Sequence, residues 1–226
     1  MGILLPKLVV LSAPSGTGKS SIIQSARKIF PNLVLSVSYT TRPPRVGENN
    51  GVDYFFIGRD DFQERINKQE FIEYAEVFGN LYGTSKTFIK SAQADNRIVI
   101  LDIDVQGAMQ LKNYPDLQKT MIFIRPPSVE ELGKRLRGRM TESEESLKRR
   151  LGQAEKEMGY ADQYDHVIIN NHLNQAVMEF IERILKEMID FKVINLLNLN
   201  EIISSIIPEG EKPHPEMAVI MGRLIS

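Results

Sequence analysis

The chain contains no cysteine, which excludes disulfides and thiolate nucleophiles. Its three histidines are scattered and do not read as a zinc site. Excess positive charge is missing too: Lys and Arg number 28 against 29 acids, a net charge of -1. No broad basic surface for nucleic acid is expected, so any anion has to be met by local arginine clusters. Long apolar runs are also lacking. The apolar opening is short, holds Pro6 and Lys7, and reads as a first strand instead of a signal peptide or a membrane span. No internal repeat or low-complexity linker divides the 226 residues, enough for one α/β core with small excursions. The expectation is a cytoplasmic enzyme without nucleic-acid or membrane partners.

What is present begins with LVVLSAPSGTGKSSIIQSARKI, Leu8 to Ile29. Val9, Val10 and Leu11 form a β-branched and aliphatic run typical of a buried parallel strand, and Ile22, Ile23, Ala26, Ile29 and Phe30 recur with a helical period. Between them stands Ala13-Pro14-Ser15-Gly16-Thr17-Gly18-Lys19-Ser20, a phosphate-loop pattern with Ala13 in place of its first glycine. Gly16 and Gly18 permit the backbone angles that turn successive N–H groups inward around an anion, at the start of a helix whose dipole favours it. Lys19 then reaches the β and γ phosphates of a nucleoside triphosphate, and Ser20 supplies a ligand to Mg²⁺.

A strand is expected from Leu33 to Ser38, followed by a donor-rich stretch in which Arg42 and Arg45, stiffened by Pro43-Pro44, make a fork for a second anion. Tyr54–Ile57 and Phe71–Phe78 read as strands, with a short helix between them capped by Asp60 or Asp61. Glu73 lies among apolar neighbours, Gly79 to Gly83 reads as a turn around Tyr82, and Thr84 or Ser85 starts a helix. Residues 36–91 therefore form a strand-rich insertion able to converge on one small ligand. The run Arg97 to Asp104 ends in two acids at the carboxyl end of a strand, where Asp102 or Asp104 can face the ligand crevice. Gln106 and Gly107 turn into the next helix, and Thr120–Ile124 is a further strand.

Ser128 with Glu131, and Thr141 with Glu144, have capping-box spacing. They predict two polar helices carrying Arg135, Arg139, Arg149 and Arg150, a lid over about 135–155 whose arginines neutralise charge on closure. His166–Asn170 is a last strand, and Asn170 or Asn171 starts the helix that follows.

In order and spacing, APSGTGKSS, SVSYTTRPPRVGENNGVDY, FIEYAEVFGNLYGTS, LDIDVQG, RLRGR, ESEESLKRR and YDHVIIN resemble a bacterial-type guanylate kinase over about residues 7–190. The resemblance implies an α/β three-layer P-loop kinase core at 1–35 and 92–190 and a GMP-binding region at 36–91. It also implies transfer of the ATP γ-phosphoryl group to GMP or dGMP, with Mg²⁺. By the same resemblance Arg42, Arg45, Tyr54 and Tyr82 bind the GMP phosphate and Ser38, Glu73, Thr84 and Asp102 read guanine. Arg135, Arg139 and Arg150 become lid arginines, and Asn170 lies near the adenine or ribose end of ATP. Met140 departs from a glycine common in relatives, and Tyr39 stands where relatives often carry a small or histidine side chain.

Two other readings stand beside this one: a kinase for another monophosphate, and a noncatalytic guanylate-kinase-like module that binds phosphorylated protein segments. Retention of Lys19, Ser20 and the lid arginines argues against the second. The tail, 191–226, has two apolar runs and is expected to fold back onto the core or onto another subunit in a homo-oligomer.

Overall fold

The computed structural model describes residues 8–95, 97–138, 144–188 and 214–225. In chain order its elements are β1 (Leu8–Ser12), α1 (Lys19–Ile29), β2 (Leu33–Leu35), β3 (Tyr39–Thr40), β4 (Phe55–Phe56), α2 (Arg59–Asn67), β5 (Phe71–Val77), β6 (Asn80–Ser85) and α3 (Lys86–Ala94). There follow β7 (Ile98–Asp102), α4 (Val105–Lys112), β8 (Lys119–Arg125), α5 (Val129–Arg137), α6 (Glu144–Met158), β9 (His166–Ile169), α7 (Leu173–Met188) and α8 (Pro215–Ile225).

The main sheet has the order β2-β7-β1-β8-β9, and its paired strands run parallel. Because a parallel sheet is covered on both faces, its central strands are apolar throughout, and the two-residue period sorts their side chains between two cores. Val9, Leu11, Ile98, Ile100, Ile122 and Ile124 pack with α1 and α7. Leu8, Val10, Val99, Leu101, Met121 and Phe123 pack on the other face with α3 and α4. The result is three layers, helix on sheet on helix.

A smaller sheet, β4-β3-β6-β5, lies over the residues of the insertion. A separate cluster of Leu132, Leu136, Leu147 and Ala154 joins α5 to α6. Met217, Ile220, Met221 and Leu224 of α8 are buried in the same core as Phe180, Ile181, Ile184 and Leu185 of α7.

Several expected boundaries move. The second strand stops at Leu35, and the strand before the two acids stops at Asp102. Gly58 caps α2, leaving Asp60 and Asp61 in its first turn. Tyr82 sits inside strand β6 and not in a turn, the reversal being confined to Phe78 and Gly79. Gln106 and Gly107 already belong to α4, and α7 begins at Leu173, after Asn170 and Asn171. The Thr141 cap, Met140 and Arg139 lie outside the described residues, as do residues 191–213 of the tail.

Candidate active site

The phosphate loop leaves the carboxyl end of β1 and enters α1. Gly16 (φ 92°) and Gly18 (φ 91°) both hold left-handed backbone, which residues with a Cβ resist. Neither glycine has room for a side chain: a Cβ would lie 2.6 Å from Leu136 Cδ2 at Gly16 and 2.5 Å from Asn170 Nδ2 at Gly18. Thr17 Oγ1 donates to the Pro14 carbonyl at 2.8 Å, and Asn170 Nδ2 donates to the Thr17 carbonyl at 2.7 Å. The buried Asn170 is thus a brace for the loop. α1 starts with neither a capping side chain nor an acid in its first turn, so its leading N–H groups remain available to an anion.

Leu11 of β1 is the register partner of Asp102, which brings the end of β7 beside the loop. Lys19 forms an ion pair with Asp102 there. Asp104 does different work: it caps α4, accepting from the Gly107 N–H at 2.9 Å and from Gln106 Nε2 at 3.0 Å. The two acids thus have different partners, Asp102 the loop lysine and Asp104 the start of α4, and both line the cleft.

Across the cleft stands Glu73, 4% exposed on β5. Its register partner on β6 is Thr84, whose hydroxyl donates to Glu73 Oε1 at 2.5 Å. Burial pushes the Glu73 carboxyl up to about 7; the Thr84 bond opposes this, and the Asp104 carboxylate adds to it. Gly107 makes this burial possible, because a Cβ at that position would collide with Glu73 Oε2. One cleft is lined by the loop residues from Ala13 to Ser20 together with Ser38, Arg45, Tyr54, Glu73, Tyr82 and Asp102. Thr84 stands behind Glu73.

Arg42 is held at the side of this cleft. Its Nη2 donates to Glu48 Oε1 at 2.8 Å, and its guanidinium lies 5.4 Å from the centroid of the Tyr54 ring. The Arg42 guanidinium keeps the Glu48 carboxyl below its ordinary range. Tyr54 and Tyr82 meet edge to face at 5.9 Å, and burial pushes the Tyr54 hydroxyl up to about 12, so it stays a donor at neutral pH.

Helices α5 and α6 also reach the loop and its brace. Arg150 Nη2 donates to Ser15 Oγ at 2.5 Å, and Arg135 Nη1 donates to the Asn170 carbonyl at 3.1 Å. Glu157 of α6 also lines the cleft, its carboxyl pushed up by burial against the opposing effects of the Gln153 hydrogen bond and of Lys19. Sequence reasoning missed Glu157 and Glu48; each is one acid in a charged stretch, and only the fold places it beside a loop or arginine. Among the described residues no cluster of three or more acidic, histidine or cysteine side chains could cage a metal. The oxygen donors on the cleft, the Ser20 hydroxyl and the Asp102 and Asp104 carboxylates, suit a hard cation that keeps waters and phosphate oxygens as its other ligands.

Comparison with known proteins gives the family and the fold. The family model for guanylate kinase matches residues 5–188. A guanylate kinase of Gloeobacter violaceus is 47% identical over 186 residues, 82% of this chain and 89% of the relative. One from Sus scrofa is 45% identical over 187 residues, 81% of this chain and 94% of the relative. The crystal structure of guanylate kinase from Anaplasma phagocytophilum superposes with a TM-score of 0.64 at 32% identity, covering 88% of this chain and 93% of that one.

Proposed function

The chain belongs to the guanylate kinase family, and from that premise we propose that it transfers the γ-phosphoryl group of ATP to the α-phosphate of GMP or dGMP. The products are ADP and GDP or dGDP. The observation that carries this reading is a buried carboxylate, Glu73, facing an uncapped phosphate loop across one cleft. Guanine offers two adjacent donors, N1–H and the N2 amino group, and an ionised carboxylate accepts both. Adenine lacks that pair.

On the donor side, the amides of residues 15–20 cradle the triphosphate, Lys19 exchanges Asp102 for the β and γ phosphates, and Asn170 keeps the loop in shape. Ser20 would hold Mg²⁺ together with the phosphates, and the ion would supply positive charge to the phosphate oxygens. On the acceptor side, the region 36–91 holds GMP. Arg42, Arg45, Tyr54 and Tyr82 bind its phosphate, with Glu48 occupying Arg42 until the phosphate arrives. Ser38, Glu73, Thr84 and Asp102 read guanine. Arg135, Arg139 and Arg150 bring cationic charge onto the moving group. No side chain needs to form a covalent intermediate, so the protein's contribution is alignment, charge and exclusion of water.

Titration calorimetry with Glu73→Gln tests the acceptor assignment. The substitution places an amide donor against a donor edge. GMP affinity falls at least about thirtyfold, the loss expected for a charged buried hydrogen bond, while ATP affinity is unchanged. Equal losses for the two nucleotides would remove Glu73 from the guanine site.

A further inference from the structure

The β5–β6 hairpin turns through Phe78 and Gly79, with Val77 and Asn80 as the closing pair. Both central residues have positive φ, 50° and 81°. Such two-residue turns favour Asn-Gly or Gly-Gly, and a bulky aromatic in left-handed backbone is uncommon. Phe78 gains little from burial in return, since it remains 61% exposed. A large ring kept at a strained, wet turn calls for a partner outside its own hairpin. Arg149 of α6 provides one: its guanidinium lies 5.6 Å from the Phe78 ring centroid, within the range of a cation–π contact. The next residue, Arg150, reaches Ser15 of the phosphate loop. One turn of the lid helix therefore touches both the donor loop and the tip of the acceptor region. The hairpin is anchored at its other side by α4, where Gln110 Nε2 donates to the Tyr74 carbonyl at 2.6 Å and Gln106 Nε2 to the Glu76 carbonyl at 3.3 Å.

We propose that Phe78 and Arg149 are positioning residues that latch the acceptor hairpin to the lid helix, so that closing over one nucleotide favours closing over the other. The inference rests on the guanylate kinase reading for the identity of the two nucleotides, and on the ring-to-guanidinium geometry for the latch itself.

The test uses the full chain, whose lack of cysteine allows a dye pair on Asp60→Cys and Glu145→Cys. Energy transfer between the dyes reports the closed population, with and without GMP plus a nonhydrolysable ATP analogue. Arg149→Ala and Phe78→Leu should each lower the closed-to-open ratio about two- to fivefold, the size of an exposed cation–π contact. The double variant should be no worse than the poorer single one, and Phe78→Tyr, which keeps the ring, should match the parent. kcat/KM for GMP should fall by the same factors while melting temperatures stay together. Additive effects of the two substitutions, or a Phe78→Leu variant as closed as the parent, would overturn the latch. If the labelled parent closes but does not phosphorylate GMP, the functional reading fails and the latch does not.

Discussion

In the proposed reaction Lys19 and Glu73 set the two ends. Lys19 is paired with Asp102 beside the phosphate loop, so in the proposed reaction it needs only to exchange a carboxylate for phosphate oxygens. Lys19→Ala should lower turnover by several orders of magnitude, with circular dichroism and melting temperature showing an intact fold. Near-parental turnover would remove the loop from the chemistry. Glu73 gives a pH signature. Its folded-state pKa of about 7 lies above the ordinary 4.5, so the folded chain holds a proton there that the unfolded chain releases between these values. That contribution to stability is fully present below pH 4.5 and is lost as pH rises through about 7. Glu73→Gln should therefore gain stability relative to the parent at pH 8, by roughly 2–3 kcal/mol compared with the difference at pH 4.5, in denaturant titrations. Guanine binding needs the ionised form, so GMP should bind more weakly as pH falls below 7 and should release a proton into the buffer. A binding enthalpy at pH 6.5 that is independent of the buffer's ionisation enthalpy would contradict this.

At the scale of elements, α4 and the β5–β6 hairpin act together. Gly107 lies within α4, where alanine would ordinarily be favoured by about 1 kcal/mol. Here a Cβ would meet the Glu73 carboxylate, so Gly107→Ala should raise KM for GMP about tenfold or more and leave KM for ATP unchanged in steady-state kinetics. Such a selective effect would be hard to obtain if the hairpin served only stability. The phosphate loop, β1, α1 and the alternation of core residues were legible in sequence because period and turn chemistry are local. The capping of α5 by Ser128, which accepts from the Glu131 N–H at 3.1 Å, was legible for the same reason. β6 was not. Asn80 and Gly83 look like turn residues, yet Gly83 is in a strand because its Cβ position is filled by the rings of Phe62 and Phe71, each 3.0 Å away. The partners of the acids at and just beyond the end of β7 were only half legible: Asp104 caps the adjacent helix, whereas Asp102 meets Lys19, which is distant in sequence. Asn170 likewise reads as a helix start in sequence, and only the packing of β9 beside the loop shows it bracing Thr17.

At the scale of the molecule, α8 lies beyond the residues 5–188 matched by the family model, yet four of its apolar side chains complete the core around α7. Burial of each stabilises by up to about 1.5–3 kcal/mol. Removing residues 191–226 should lower the melting temperature by on the order of 10 °C and leave KM for both nucleotides near parental values, because none of the described cleft residues lies in that segment. Unchanged stability would show that α8 only rests on the surface. The apolar segment 191–203, equally evident in sequence, lies outside the described residues. In the proposed reaction one cleft brings a triphosphate on the loop of β1 and α1 together with a guanine monophosphate read by Glu73. Its most direct measurement is phosphoryl transfer from ATP, with Mg²⁺, to a panel of GMP, dGMP, AMP, CMP, UMP and dTMP, following ADP and the nucleoside diphosphate formed. Equal amounts of ADP and GDP are expected from GMP, the corresponding products from dGMP, and rates with AMP at least about a thousandfold lower, since a site built for guanine's donors rejects a base without them. Comparable rates with AMP, or ADP formed without any nucleoside diphosphate from GMP, would contradict it.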